Sequence, residues 1–334
     1  MHKSNLKERC MNLTRNTIAE TYCCAETGID SKKADVILGT SGTLTSDGWL
    51  LDNLPRRPRD SNKGSFGKTL VICGSDKYRG AAHLTLAAAL RGGAGYVTYL
   101  GSAELARELR AVYPEAIYVD KYDVNTLDGG GVSQICEISK GCTSSVIGSG
   151  SGVSRSLFSL IRALISIEGG TLIIDADGLN SISRYAESVE DVFRTARRKI
   201  IITPHPLELS RLSGLSVEAI QSDRISVARR LASEWGVVLL LKGADTVITD
   251  GERLLINGSG SSALAKAGSG DVLSGLLASV AAYTADPLTA AGIAAYLHGK
   301  AADGLAKELT DYGVTPSDLP REICKTLARI IKGG

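Results

Sequence analysis

The sequence predicts a three-layer α/β/α domain built around a mostly parallel central sheet. Three observations point there. From Lys68 onward, short β-branched runs alternate with stretches of helical spacing. The runs are apolar throughout rather than apolar on every second residue, which suits strands covered on both faces. Each run ends at Gly, Asp or Pro, so strand and helix follow one another in the manner of βαβ units.

The elements follow in order. Residues 1 to about 60 are polar, lack apolar periodicity, and end in the basic stretch Leu54-Pro55-Arg56-Arg57-Pro58-Arg59. They are expected to form an N-terminal extension, with a helix or two, and a linker (1–60) ahead of the main α/β domain (61–334). Thr69 to Cys73 reads as a buried strand stopped by Gly74, Ala81 to Leu90 as a helix, and Tyr96 to Leu100 as a strand. Ser145–Ile147, Leu172–Ile174, Ile200–Ile202 and Val237–Leu241 are further buried strands. Val217 to Trp235 reads as one helix, with Ile225, Ala228, Leu231, Ala232 and Trp235 in a stripe. Asp250-Gly251 between two β-branched runs marks a hairpin. Near the end, Asp286-Pro287 pairs a cap with a first helical residue, and Ser317 is a second expected cap.

Composition narrows the function. The chain has 334 residues, with Lys+Arg 38 against Asp+Glu 36 and a net charge of +2. That balance gives no field for nucleic acid or a membrane surface, and 5% aromatics make a poor base-stacking platform. The 7 cysteines include no C-x-x-C pair, which argues against structural zinc and for a reducing compartment. No apolar run approaches a membrane span. The start carries Lys3, Lys7, Arg9 and Arg15 beside Glu8 and no apolar signal region. A cytoplasmic location is expected, an organelle being the alternative if that basic start is a targeting peptide.

Two familiar phosphate loops fail on spacing. Gly67-Lys68-Thr69 imitates the end of a P-loop, but position 62 is Asn and a strand follows. Gly148-Ser149-Gly150-Ser151-Gly152 imitates a dinucleotide fingerprint, but Val153 stands where a third Gly is needed. It still follows a strand, where α/β sheets bind ligands, so binding loop and plain turn both remain open.

What survives is a run of polar residues at successive strand ends. Asp175-Ala176-Asp177 follows Ile174, Thr203-Pro204-His205-Pro206-Leu207-Glu208 follows Ile202, and Lys242-Gly243-Ala244-Asp245-Thr246 follows Leu241. Two prolines hold His205 extended. Lys242 is placed to meet phosphate and Thr246 to hydrogen-bond a nucleotide. Glu208 is a candidate to hold a metal through water, or a helix-start acid complementing the dipole. Asp175 and Asp177 can equally be helix caps.

The most telling run is Ala267-Gly268-Ser269-Gly270-Asp271, followed by Val272, Leu273, Leu276, Leu277 and Val280 at helical spacing. Asp271 therefore falls in the first turn of a helix, where unpaired amides suit phosphate. A carboxylate there can take a proton from a hydroxyl while the amides hold the phosphoryl group it attacks. Alone, the run is better read as a Gly-rich turn with an Asp cap, which is common; the rest of the chain reverses that.

The turn and its context resemble the ribokinase-like superfamily and, within it, the ADP/ATP-dependent NAD(P)H-hydrate dehydratases. The likeness rests on Lys63–Lys68, Tyr78–Ala82, Gly92–Thr98, Pro114-Glu115, Asp175–Asn180, Thr203–Pro206, Leu241–Ala244, Ala267–Asp271 and Tyr296–Gly299. It implies a ribokinase-like fold and a substrate that is the hydrate of NADH or NADPH, in its S epimer. That family phosphorylates the ring hydroxyl from ADP or ATP and then expels phosphate, restoring the dinucleotide. The resemblance implies Asp271 as base, with the amides of Gly268, Ser269 and Gly270 stabilising the phosphoryl group and Mg²⁺ neutralising the nucleotide. It implies hydrate contacts at Ala81, Gly152, His205 and Asp271, and nucleotide contacts at Lys242, Gly243, Ala244, Asp245, Thr246 and Gly270. It also implies a homo-oligomer such as a tetramer.

Departures fall at Asn62-Lys63-Gly64-Ser65, where His-Lys-Gly-Asp is usual, and at Gly148–Gly152, where Gly-Pro-Gly-Leu-Gly is usual. Leu207 replaces a usual Gly. In the family the first two loops border the substrate. A ribokinase-like kinase of a vitamin precursor or sugar, and a nucleotide-binding regulator without turnover, are the alternatives.

Overall fold

The computed structural model describes residues 42–333 and places ten strands in one sheet. In chain order they are β1 (Thr43–Leu44), β2 (Lys68–Ile72), β3 (Tyr96–Leu100), β4 (Ile117–Val119), β5 (Ser144–Ile147), β6 (Thr171–Ile174), β7 (Lys199–Ile202), β8 (Val238–Leu241), β9 (Thr246–Thr249) and β10 (Leu254–Asn257). Across the sheet the order is β1-β10-β9-β8-β7-β6-β5-β2-β3-β4. From β4 to β8 every pairing is parallel. The β8–β9 and β9–β10 pairs are antiparallel, and the latter is the hairpin that Asp250-Gly251 marks.

Helices cover both faces. On one side lie α2 (Arg79–Arg91), α3 (Ala103–Val112), α11 (Ser269–Tyr283), α12 (Pro287–Gly313) and α13 (Leu319–Gly333). On the other lie α4 (Gly129–Lys140), α5 (Arg155–Ser166), α6 (Asp177–Tyr185), α7 (Val189–Arg194), α8 (Pro206–Ser213), α9 (Val217–Ser222) and α10 (Arg224–Trp235). The all-apolar runs resolve into two faces with a period of two. On β6, Ile173 joins the first core, while Leu172 and Ile174 join the second. This is a ribokinase-like α/β/α arrangement, as the sequence predicts.

Three local expectations change. The stretch Val217–Trp235 is two helices, because Asp223 turns the chain (φ −147°) and caps α10 through the Ser226 amide at 3.1 Å. Ser317 does not cap the last helix. Pro316 starts a 3₁₀ turn over Pro316–Asp318, closed by Asp318 accepting the Thr315 amide at 2.8 Å, and α13 begins at Leu319. Residues 1–41 of the expected extension lie outside the described residues, but the rest of it is built into the domain. Thr43–Leu44 pairs with β10, and α1 (Asp47–Asn53) buries Leu50 completely and packs on α12. The Tyr296 hydroxyl donates to Asp47 at 2.7 Å.

The winding direction reverses between β2 and β5, so a crevice opens at their carboxyl ends. Gly74 (φ +78°) and Gly148 (φ +119°) turn the chain there. The Gly74 amide donates to the Ser149 carbonyl at 2.8 Å, and the Ser75 hydroxyl to the Gly150 carbonyl at 2.8 Å. The crevice walls are thereby joined. The Asn62–Ser65 loop, expected beside the substrate, instead precedes β2 at the amino edge of the sheet.

Candidate active site

The Gly268 turn opens α11 as expected. Gly268 takes φ +102°, a conformation that favours glycine, and a Cβ there would lie 2.6 Å from Leu84 Cδ1. Asp271 is the third residue of α11. Of the three amides expected at the phosphoryl group, Ser269 already donates to the Lys266 carbonyl at 3.2 Å. Gly270 and Asp271 are the first-turn donors with no helical acceptor behind them. A Cβ on Gly270 would stand 3.7 Å from Lys242 Nζ, so the lysine ammonium sits directly over this turn.

The Asp271 carboxyl is pushed up to about 6. Burial is the main cause and the Asp175 charge adds to it, while Lys242 and a hydrogen bond from Ser149 act the other way. A carboxylate in that range is largely ionised at neutral pH yet basic enough to accept a proton.

Asp175 is a junction rather than a helix cap. It is 1% exposed at the end of β6, where Oδ1 accepts Lys242 Nζ at 2.9 Å and the Thr203 hydroxyl at 2.8 Å. Its Oδ2 accepts Ser274 at 2.6 Å and Ser149 at 3.3 Å. Segments following β5, β7 and β8, together with α11, thus meet on one carboxylate. Burial works against its charge, but Lys242 and the donated hydrogen bonds hold its pKa below the usual carboxylate range. Lys242 is likewise held charged: burial opposes it, and Asp175 and Glu208 outweigh burial. Glu208 Oε2 lies 3.6 Å from Lys242 Nζ.

The other predicted residues divide. His205 caps α8, accepting the Glu208 amide at Nδ1 (3.2 Å), while Glu208 Oε2 accepts the His205 amide (2.8 Å). Burial lowers the His205 pKa against the Glu208 charge, and the ring keeps a half-exposed edge. Glu208 Oε2 thus serves both the cap and the Lys242 ammonium. Gly152 donates to Asp177 Oδ2 at 2.8 Å. Burial raises the Asp177 pKa despite that bond. Ala81, in the first turn of α2, faces Gly150 so closely that a Cβ on the glycine would stand 2.5 Å away. Gly150 therefore has to be glycine for α2 to approach the β5 loop.

Two cavities lie in the neighbourhood of Asp271, which is itself in the lining of neither. One, of about 530 Å³, is bordered by Lys242, Gly243, Ala244, Thr246, Ser269 and Gly270. Asp245, also expected at the nucleotide, is not among its lining residues; it takes φ +53° in the turn that Thr246 closes on the Gly243 carbonyl at 2.8 Å. The second cavity, about 320 Å³, is bordered by Gly74, Ser75, Tyr78, Ser151 and Gly152 in the β2–β5 crevice. Ser149, which donates to Asp175 at 3.3 Å and favours the Asp271 charge, belongs to the loop after β5 that also carries Ser151 and Gly152.

Residue-level reading of strand ends misses the roles of Ser149, Ser274 and His298. His298, on α12, is 6% exposed and borders the larger cavity; its Nε2 has no hydrogen-bond partner among the described residues. Burial drives its pKa down to about 4, against a backbone hydrogen bond at Ser269, so the ring is neutral. The signal for it was the Tyr296–Gly299 motif. Among the described residues no group of three or more His, Cys, Asp or Glu could hold a metal ion. The donor set offers no protein cage and fits a divalent ion only as a nucleotide's own counter-ion, with phosphate oxygens as ligands. Among the same residues no helix is long and apolar enough to cross a membrane.

Comparison with known proteins agrees with this geometry. The family profile for NAD(P)H-hydrate dehydratase matches residues 69–325. An ADP-dependent (S)-NAD(P)H-hydrate dehydratase of Cenarchaeum symbiosum is 34% identical over 279 residues, 84% of this chain and 93% of that one. A bifunctional NAD(P)H-hydrate repair enzyme of Thermofilum pendens is 34% identical over 82% of this chain. The chain spans about half the length (52%) of that relative. Among solved structures, the ADP/ATP-dependent NAD(P)H-hydrate dehydratase of Bacillus subtilis, co-crystallised with ATP and Mg²⁺, superposes with a TM-score of 0.76 at 27% identity. It covers 86% of this chain and 99% of its own. With profile, relatives and superposition coinciding on the domain that carries Asp271, the chain belongs to the NAD(P)H-hydrate dehydratase family.

Proposed function

We propose that this chain restores NADH and NADPH from their S-epimer hydrates at the expense of ADP or ATP. The observation that carries the reading is Asp271: a carboxylate tuned to about 6, in the first turn of α11, next to Ser269 and Gly270, which border the larger cavity together with Lys242. The larger cavity has the lysine and amides a nucleotide phosphate needs. The smaller one, at the switch point of the sheet, takes the hydrated nicotinamide ring.

The chemistry follows from the groups present. Asp271 accepts the proton of the ring hydroxyl as that oxygen bonds to the terminal phosphorus, and the bond from phosphorus to the nucleotide's bridging oxygen breaks. The amides of Gly270 and Asp271 and the Lys242 ammonium stabilise the charge on the transferring group. Magnesium, when bound with the nucleotide, neutralises its phosphate oxygens. The esterified oxygen is then a good leaving group, where hydroxide is a poor one. The ring nitrogen lone pair expels phosphate, and a ring proton is lost to complete the dehydration. Relatives named as ADP-dependent dehydratases, and the ATP/Mg²⁺ complex of the Bacillus subtilis protein, support the choice of donor. A cytoplasmic tetramer remains the expected setting, to be checked by light scattering and fractionation.

The test is to incubate the hydrate with ADP or with ATP, each with Mg²⁺, and follow the return of NAD(P)H absorbance. Restoration with one nucleotide identifies the donor. A stable phosphate ester without restored dinucleotide would identify a small-molecule kinase instead. Binding without any turnover would identify a regulator.

A further inference from the structure

A separate cavity of about 560 Å³ lies at the amino edge of the sheet, on the opposite side from Asp271. It is bordered by residues that precede β5, β6 and β7 and by the carboxyl end of α11, with Gly170, Arg197, Arg198, Lys199 and Thr284 in its wall. Three of these are cations and none of its lining residues is acidic.

Arg198 sets this cavity apart. It is 8% exposed, and its guanidinium makes one hydrogen bond, from Nη1 to the Ser139 hydroxyl at 2.9 Å. Its Nε and Nη2 are buried with no partner, and no carboxylate pairs with it among the described residues. Burial pulls its pKa down to about 10. Thr284, also 8% exposed, has a buried hydroxyl without a partner in the same wall. Gly170 (φ +64°) lies over the guanidinium, where a Cβ would stand 3.0 Å from Nη2. An unpaired buried charge is costly unless something compensates it, and a planar guanidinium in one cavity wall with a hydroxyl is suited to a tetrahedral oxyanion. Arg197 and Lys199 supply further positive potential, although Arg197 is paired with Glu168 and Lys199 donates to the Ala285 carbonyl at 2.6 Å.

We propose that this cavity is a second anion site, in which Arg198 and Thr284 bind phosphate, free or at the end of a phosphate monoester.

The full chain is first saturated with a non-hydrolysable ATP analogue and Mg²⁺, its own binding heat being recorded to establish that the active site is filled. Inorganic phosphate, and separately glycerol 3-phosphate, is then titrated in by calorimetry at constant ionic strength. Saturable binding that persists under the analogue is expected, weakened about 10–100-fold in Arg198→Met and about 3–10-fold in Thr284→Val. Tighter binding of the ester than of phosphate would make the ester the ligand and support the site equally. Heat that disappears under the analogue, or that is unchanged in both variants, would overturn the proposal. Thr284→Val removes a hydroxyl with no partner and should fold even if Arg198→Met does not. Failure of the analogue to bind would count against the dehydratase reading, leaving the phosphate titration of the two variants to decide this one.

Discussion

Asp271 carries two opposed demands, reactivity and burial, and both can be measured. Its pKa is raised from 3.8 to about 6, so the unfolded state ionises first as pH rises. Between those values the native state binds more protons than the unfolded one, and stability falls with pH. Above pH 6 the full penalty applies, of order 3 kcal/mol. Asp271→Asn should therefore be more stable than wild type by roughly 1–3 kcal/mol at pH 8 and indistinguishable from it near pH 3.5. Urea denaturation at both pH values reads this. The same variant should lose about 10²–10⁴-fold in turnover while keeping nucleotide affinity. Wild-type-like turnover would remove Asp271 from the mechanism. In wild type, kcat/KM should climb through an apparent pKa of about 6 as the base ionises, and Lys242→Met should move that limb upward, since Lys242 favours the ionised carboxyl. The sequence made Asp271 and Lys242 legible because glycine spacing and strand-end position carry their meaning locally. It left Asp175 ambiguous between cap and ligand, because its role exists only where four distant segments meet.

At the scale of elements, α11 is held against α2 by missing side chains. A Cβ on Gly275 would stand 2.0 Å from the Thr85 carbonyl, and one on Gly92 2.4 Å from Ser279 Cβ. The clash at Gly275 is with backbone, so it is relieved only by moving a helix. Gly275→Ala should cost about 2–4 kcal/mol, beyond ordinary overpacking, and should reduce turnover as well, since α2 and α11 both reach the site with their first turns. A denaturation midpoint unchanged from wild type would show that the helices yield. The strands themselves were legible because residues buried on both faces read as unbroken apolar runs. The break at Asp223 and the Thr315–Asp318 box were not, since a helical stripe continues across the first and Pro316 displaces the cap in the second. Helical periodicity reports the buried face, whereas termini depend on single hydrogen bonds.

For the molecule as a whole, residues 42–60 are informative. The sequence suggested an extension with a helix or two and a linker; two strand residues and one short helix of this stretch add to the far edge of the sheet. Leu50 is the anchor, wholly buried within the core on the α11 face. Leu50→Ala should destabilise the protein by about 2–5 kcal/mol, although it lies far along the chain from the helices it packs against. Retention of wild-type stability would mean that this segment only rests on the domain. Ligand linkage acts at the same scale: a nucleotide at 100 times its Kd should add about 2.7 kcal/mol of stability and a melting shift of roughly 5 °C. Asp271→Asn should show the same increment, since it leaves nucleotide affinity in place.

Ser149 has one hydroxyl hydrogen and two neighbouring carboxylates, Asp175 and Asp271, that both draw on it. It can point toward only one at a time. In this structure it donates to Asp175, at 3.3 Å, while its dipole still favours the charged form of Asp271. A serine shared in this way ties the charge of the residue in the first turn of α11 to that of the carboxylate on which the strand ends meet.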